Sequence, residues 1–312
     1  MNVLSLFDGM SCGQIALNKL GIKYNKYFAS EIDKYAIKVT QDNFPKTIHL
    51  GDIKKIDFKS LPKIDLLMGG SPCQGFSIAG KHLNFNDPRS ALFFEYIRAL
   101  HDLKPKYFLL ENVKMKKEHQ EIISEYMGVE PVMINSSLLS AQNRVRLYWT
   151  NLPISQPKDR KIYLKDVLEN GLVDRDKSYC IDANYFKGTN VEQYLLKKRR
   201  QVVFEKTDKP LKLGGIHGKT GKVSQGGRVY HESGKSVTLM GLSGGWEGKT
   251  GPYHDDYCIR KLTVLECKRL QTVPDDYKMN VSNTQAYKML GNGWTVDVIV
   301  HILKGMKKAL KS

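Results

Sequence analysis

The sequence predicts an α/β fold: an open, parallel or mixed sheet covered by helices on both faces, with a smaller glycine-rich part attached. Three observations predict it. Up to about residue 152, short apolar runs alternate with helical patterns, and strands with wholly apolar cores belong to sheets buried on both sides. Residues 214–251 then hold twelve of the 26 glycines, with Gly-Gly pairs at 214–215, 226–227 and 244–245. That density of turn signals reads as a small β-rich part with long loops. Helical periodicity returns beyond Thr263.

In order, residues 3–7 read as a strand, 13–20 as a helix, 27–30 as a strand and 34–43 as a helix with apolar positions at helical spacing. A third strand is expected at 64–68, a helix at 90–103, a strand at 107–110 and a helix near 118–127. Residues 132–134 and 147–150 complete the sheet. After the glycine-rich stretch, 263–270 reads as a helix opened by Thr263, with Glu266 three residues on as a capping box. Residues 282–290 and 295–310 form two more helices, the last amphipathic and ending in lysines. The expected division is 1–152, 153–282, and a segment 283–312 returning to the first part.

The charge is informative. Lys and Arg number 49 against 32 Asp and Glu, a net +17. Between residues 187 and 235 twelve basic residues face four acidic ones, so nearly half of the excess lies there, densest at Lys197-Lys198-Arg199-Arg200. This balance points to a polyanionic partner, nucleic acid before membrane. No apolar run reaches the roughly 18 residues of a membrane span. The N-terminus lacks a basic n-region and carries Asp8 early, unlike a signal peptide. The five cysteines are scattered without a C-x-x-C, so neither a metal site nor a disulfide framework is expected, and the cytoplasm is the expected location.

The chemistry-bearing residues fall at strand ends. The first strand runs into Phe7-Asp8-Gly9-Met10-Ser11-Cys12-Gly13, a turn that admits a ligand close to backbone and to a helix N-terminus. Glu31, 22 residues after Gly9, ends the second strand, where a carboxylate accepts from ribose hydroxyls. Asp52, in Gly51-Asp52-Ile53, is placed to accept from an adenine amino group. No phosphate-binding lysine motif accompanies them, so an adenosyl cofactor without phosphates fits better than a dinucleotide. The next strand ends in Gly69-Gly70-Ser71-Pro72-Cys73-Gln74-Gly75, which puts a cysteine where open sheets bind ligands. A thiol of ordinary pKa is only about 3% ionised at pH 7, so a nucleophilic Cys73 needs a neighbouring cation or helix N-terminus. Glu111 ends the following strand. Arg144 and Arg146, two apart before the last strand, share a face.

These motifs, in this order, resemble the cytosine-C5 DNA methyltransferase family. The resemblance rests on Phe7-Asp8-Gly9 with Gly13, Glu31, Asp52, Pro72-Cys73-Gln74, Glu111-Asn112-Val113 and Gln142-x-Arg144-x-Arg146. Downstream it rests on Arg260-Lys261-Leu262-Thr263-x-x-Glu266 with Arg269-Leu270-Gln271, and on Tyr287-Lys288-Met289-Leu290-Gly291-Asn292-Gly293. It spans almost the whole chain. Phe7-Asp8-Gly9, Ser140-Ala141 and Trp294 look like the de novo animal branch, while the size suits a bacterial or phage enzyme. Gly293 departs from the small hydroxyl residue more common there. The Cys-Phe-Thr tripeptide of the tRNA-methylating branch is absent, and the Pro-Cys and Glu-Asn-Val missing from silent homologues are present.

The resemblance implies a Rossmann-like S-adenosylmethionine-dependent sheet with a target-recognition domain in the variable glycine-rich region. It implies sequence-specific methylation of C5 on a flipped cytosine, with Cys73 as nucleophile on C6, Glu111 at the N3 edge, and Arg144 and Arg146 holding the base and nearby phosphates. For the S-adenosylmethionine it implies Phe7, Asp8, Gly9, Ser11 and Gly13 at the methionine end, Glu31 at the ribose, and Ile32, Asp52 and Ile53 around the adenine. Pro72 and Leu92 would line the pocket, with Asn292 and Trp294 closing it. The implied partners are double-stranded DNA and, in a restriction-modification system, a separately acting cognate endonuclease.

Overall fold

The computed structural model describes residues 1–71, 91–189, 191–205, 212–217, 223–231, 253–254 and 258–309. A seven-stranded sheet organises it. Its strands are β1 (Asn2–Leu6), β2 (Lys26–Ser30), β3 (Ile48–His49), β4 (Leu66–Gly70), β5 (Tyr107–Val113), β6 (Val132–Asn135) and β7 (Val145–Thr150), in spatial order β3-β2-β1-β4-β5-β7-β6. The first five are parallel; β7 runs antiparallel to both β5 and β6. The sheet is therefore mixed, and the strand order reverses between β1 and β4, where open α/β sheets form their ligand crevice.

Alternation along the strands explains the two-sided covering. Val3, Leu66, Met68, Leu109 and Tyr148 enter one core, while Leu4, Leu6, Leu67, Leu110 and Trp149 enter the other. Neighbours in sequence point to opposite faces, so both faces must be apolar. The first core is closed by α1 (Cys12–Leu20) and α2 (Lys34–Asn43), and the second by α3 (Ala91–Leu103) and α4 (Lys117–Met127). Helix α1 stops at Gly21, whose φ of 64° lets its N–H turn back to the Asn18 and Leu17 carbonyls.

Helix α5 (Val191–Lys197) precedes the β-rich part. There, β8 (Val202–Glu205) pairs with β12 (Cys258–Lys261), and β9 (Lys212–His217), β10 (Val223–His231) and β11 (Tyr253–His254) form a three-stranded sheet. Helix α6 (Val264–Leu270) opens with the expected capping box, Thr263 and Glu266 each accepting from the other's backbone N–H. Helix α7 (Asn283–Asn292) is capped by Ser282, and α8 (Val296–Ala309) packs against α1. Leu262, Leu270 and Tyr277 share the first core with Met10 and α8. Among the described residues no helix is long and apolar enough to cross a membrane.

Candidate active site at the carboxyl edge of the sheet

The strand ends converge on one cavity of about 440 Å³. Register explains the convergence: Leu6 pairs with Ser30 on one side and Gly69 on the other, and Gly70 pairs with Glu111. Loops leaving β1, β2, β4 and β5 thus start from one edge. Phe7, Asp8, Gly9, Glu31, Ile32, Asp52, Ile53 and Leu92 line one part of the cavity, and Glu111, Arg144, Arg146, Asn292 and Trp294 another.

The turn after β1 is strained. Phe7, Gly9 and Ser11 all have positive φ, at 57°, 56° and 61°. Two of the three are not glycine, a conformation that costs energy and is held only when its surroundings over-determine it. The Glu31 carboxylate does that work here. It accepts from the Gly9 backbone N–H at 2.8 Å and from those of Ile32 and Asp33 at 2.8 and 2.9 Å. A carboxylate has about four acceptor positions, so Glu31 fixes two loops and leaves about one position over.

Asp8 is the most telling group. Its Oδ1 accepts from the Tyr27 hydroxyl at 2.8 Å, while its buried Oδ2 has no partner. Burial pushes its carboxyl up to about 6. Asp8 lines the cavity, so its charge is felt there although Oδ2 itself is closed off by burial. Close by, burial pushes the Cys12 thiol up to about 12, so it stays protonated and inert at neutral pH. Ser11 and Gly13 do not line the cavity. Ser11 is buried, its hydroxyl accepting from Gln14 at 2.8 Å. Gly13 lies under Met68 and Tyr27, where a Cβ would come within 2.7 Å of the Met68 methyl carbon and 2.9 Å of the Tyr27 hydroxyl.

At the other end of the cavity the Glu111 carboxylate is buried and held on both oxygens. Arg146 Nε lies 2.9 Å from Oε1, and the Trp294 indole N–H donates to Oε2 at 3.1 Å. Arg146 pairs in register with Val113 and Glu111 with Tyr148, so the two side chains are diagonal neighbours across β5 and β7. Arg144 lies deeper. Its four terminal N–H bonds go to Cys180 Sγ and Ile181 O on one side and to Gly291 O and Gly293 O on the other, at 2.9–3.3 Å. Asn112 donates to the Ser71 hydroxyl at 3.2 Å, tying β5 to the end of β4. Pro72 and Cys73 lie outside the described residues, immediately after Ser71.

A family model described as C-5 cytosine-specific DNA methylase matches residues 1–308. The chain belongs to that family. Its activity is that of a DNA (cytosine-5)-methyltransferase, a class that acts on DNA. It is 31% identical to the Type II methyltransferase M.HhaI of Haemophilus parahaemolyticus, the match covering 99% of this chain and 95% of that protein. It is 30% identical to the Type II methyltransferase M1.ScrFI of Lactococcus lactis subsp. cremoris over 99% and 78% of the two chains. In fold it resembles a methyltransferase of Entamoeba histolytica, with a TM-score of 0.70 and 16% identity over 100% and 99% of the two chains.

Sequence reasoning on this methyltransferase did not reach the cross-chain partners that complete the cavity. Ser71 gave no signal because its role lies in meeting Asn112, 41 residues away. Lys288, at the cavity rim, bonds Asp33 across 255 residues at 2.8 Å; only its place in the Tyr287–Gly293 motif hinted at it. The link between Trp294 and Glu111 spans 183 residues and has no local signature.

Proposed function

We propose that this enzyme methylates C5 of a cytosine flipped out of double-stranded DNA, using S-adenosylmethionine and a transient bond between Cys73 and C6. The observation that carries the reading is one cavity at the switch point, lined at one end by the nucleoside-facing residues and at the other by the Glu111–Arg146 pair. Covalent length adds support: Cys73 follows Ser71 by two positions, a span of at most about 7 Å. Ser71 itself lines the cavity.

The residues present fit the cofactor. Asp8 places a carboxylate charge beside its ammonium group, Glu31 keeps an acceptor position for the ribose, and Ile32, 76% exposed, offers an apolar face to the adenine. Asp52 and Ile53 complete that side, with Leu92 and Asn292 on the walls. Phe7 and Gly9 present the strained turn to the methionine end. Pro72 is assigned to the same pocket, and Ser11 and Gly13 support it from behind. When bound, S-adenosylmethionine supplies an electrophilic methyl group on a sulfonium.

The chain's own residues do the rest. The Cys73 thiolate adds to C6, and the displaced electron pair moves toward C5 and the N3 edge. Glu111 meets that edge with a proton shared with N3 and an oxygen accepting from the N4 amino group, its carboxyl oriented by Arg146 and Trp294, and Arg146 supplies positive charge beside the base. Arg144 braces the strand and the 291–293 turn. After C5 is methylated, a base removes the C5 proton and elimination releases the Cys73 thiolate. Residues 153–282 are proposed as the DNA-reading part, with 1–152 and 283–312 around the chemistry. Its basic, glycine-rich centre is the proposed contact for the polyanion, while the flanking Leu164, Val203 and Leu270 pack into the core shared with the sheet. A cognate endonuclease acting separately is the proposed functional partner.

Cys73→Ala tests the assignment. Methyl transfer to duplex DNA is expected to vanish while S-adenosylmethionine binding stays within a few-fold. Residual turnover near the parent rate, or an equal loss of cofactor affinity, contradicts it.

A further inference from the structure

We propose that Trp294 is a positioning residue for Glu111, and that Gly70 and Arg144 are required because they allow and hold that contact. The proposal rests on the reading of Glu111 as the group that faces the target base. Trp294 sits in the short link between α7 and α8, far from β5 in sequence. Its indole N–H donates to Glu111 Oε2 at 3.1 Å while Arg146 holds Oε1 at 2.9 Å. Each oxygen of the carboxylate thus receives one directional contact, which fixes the plane of the group and leaves its other acceptor positions to the cavity.

Two further observations converge on this contact. A Cβ at Gly70 would lie 2.8 Å from Trp294 Nε1 and 2.9 Å from Glu111 Oε2, inside both van der Waals envelopes. Gly70 is not among the residues with positive φ, so its lack of a side chain serves space rather than backbone conformation. The link itself is anchored. Gly293 O accepts from Arg144 at 2.9 Å and from Gln271 at 3.2 Å, and the Thr295 hydroxyl bonds Gln271 at 2.9 Å. Residues on both sides of Trp294 are therefore fixed, and the indole is aimed rather than merely packed. Arg144 gives two of its four terminal N–H bonds to Gly291 and Gly293 of this scaffold and the other two to Cys180 and Ile181, so it acts on the base through Trp294 and Glu111.

The experiment is a double-mutant cycle in the full chain, comparing the parent, Trp294→Phe, Glu111→Gln and the double variant. Single-turnover methyl transfer is followed at saturating cofactor and duplex DNA, with cofactor affinity measured by calorimetry. Trp294→Phe keeps an aromatic ring and removes the N–H. It is expected to slow transfer about ten- to a hundredfold, the worth of a hydrogen bond to a charged group, with the cofactor dissociation constant within about threefold. In the Glu111→Gln background the same change is expected to add little, because the contact is already altered. Equal slowing in both backgrounds, or weakened cofactor binding with an unchanged saturated rate, overturns the proposal. Gly70→Ala is a second test that keeps the indole: it is expected to slow transfer in the parent but not in Glu111→Gln, and a parent-like rate overturns the proposal. A parent-like rate in Glu111→Gln alone instead overturns the reading of Glu111 and the proposal with it.

Discussion

Asp8→Asn separates what the buried carboxylate costs the fold from what it contributes to binding. Burial lifts the Asp8 carboxyl from 3.8 to about 6. A rise of that size withholds about 3 kcal/mol of stability at neutral pH. The folded state binds the proton more tightly than the unfolded state. Stability therefore increases as pH falls from about 6 toward 3.8, and the penalty is complete above about 6. The asparagine keeps an Oδ1 to accept from Tyr27 and removes the charge, but it places an unpaired amide N–H in the Oδ2 position, at a cost of about 1–2 kcal/mol. The ligand-free variant is thus expected to be about 1–2 kcal/mol more stable than the parent at pH 8, with the gain falling to about zero near pH 4.5. Urea unfolding at the two pH values reads this directly. The same change is expected to weaken S-adenosylmethionine binding about ten- to a hundredfold, through loss of the carboxylate charge beside its ammonium group. A variant that is less stable at pH 8, or that binds the cofactor as the parent does, refutes the reasoning.

Two other outcomes follow from the geometry. Glu31→Ala is expected to weaken cofactor binding by about 1–3 kcal/mol and also to lower stability, because three backbone N–H groups lose their acceptor; calorimetry and urea unfolding check both, and an unchanged dissociation constant removes Glu31 from the site. Replacing the exposed Lys197, Lys198 and Arg199 by alanine is expected to flatten the salt dependence of duplex binding by up to about 2.7 in the log–log slope if all three meet phosphates, and an unchanged slope places the DNA elsewhere.

Much of the catalytic part was legible because strand ends carry both the periodic signal and the functional residues. The turn after β1, Glu31 and Glu111 fall where the apolar runs stop, so locating the strands located the site. The Thr263–Glu266 capping box was readable for the same local reason. Pairing was not. Nothing in the sequence places β7 antiparallel between β5 and β6, since that choice depends on long-range register, and β3 is only two residues long. Spacing puts Arg144 and Arg146 on one face, and both line the cavity, but their different burdens emerge only in three dimensions. Arg146 meets Glu111, whereas Arg144 meets carbonyls from residues up to 149 positions away. Spacing marks Glu31 as a ribose acceptor, but its grip on three backbone N–H groups is invisible to spacing.

Duplex DNA carrying 5-fluorocytosine at the target position tests the covalent step most directly, because fluorine does not leave C5 as a proton does. Incubation with S-adenosylmethionine is expected to give a complex that survives denaturing electrophoresis, with the DNA linked to the peptide containing Cys73. No trapped complex under turnover conditions, or an undiminished one with Cys73→Ala, contradicts the mechanism.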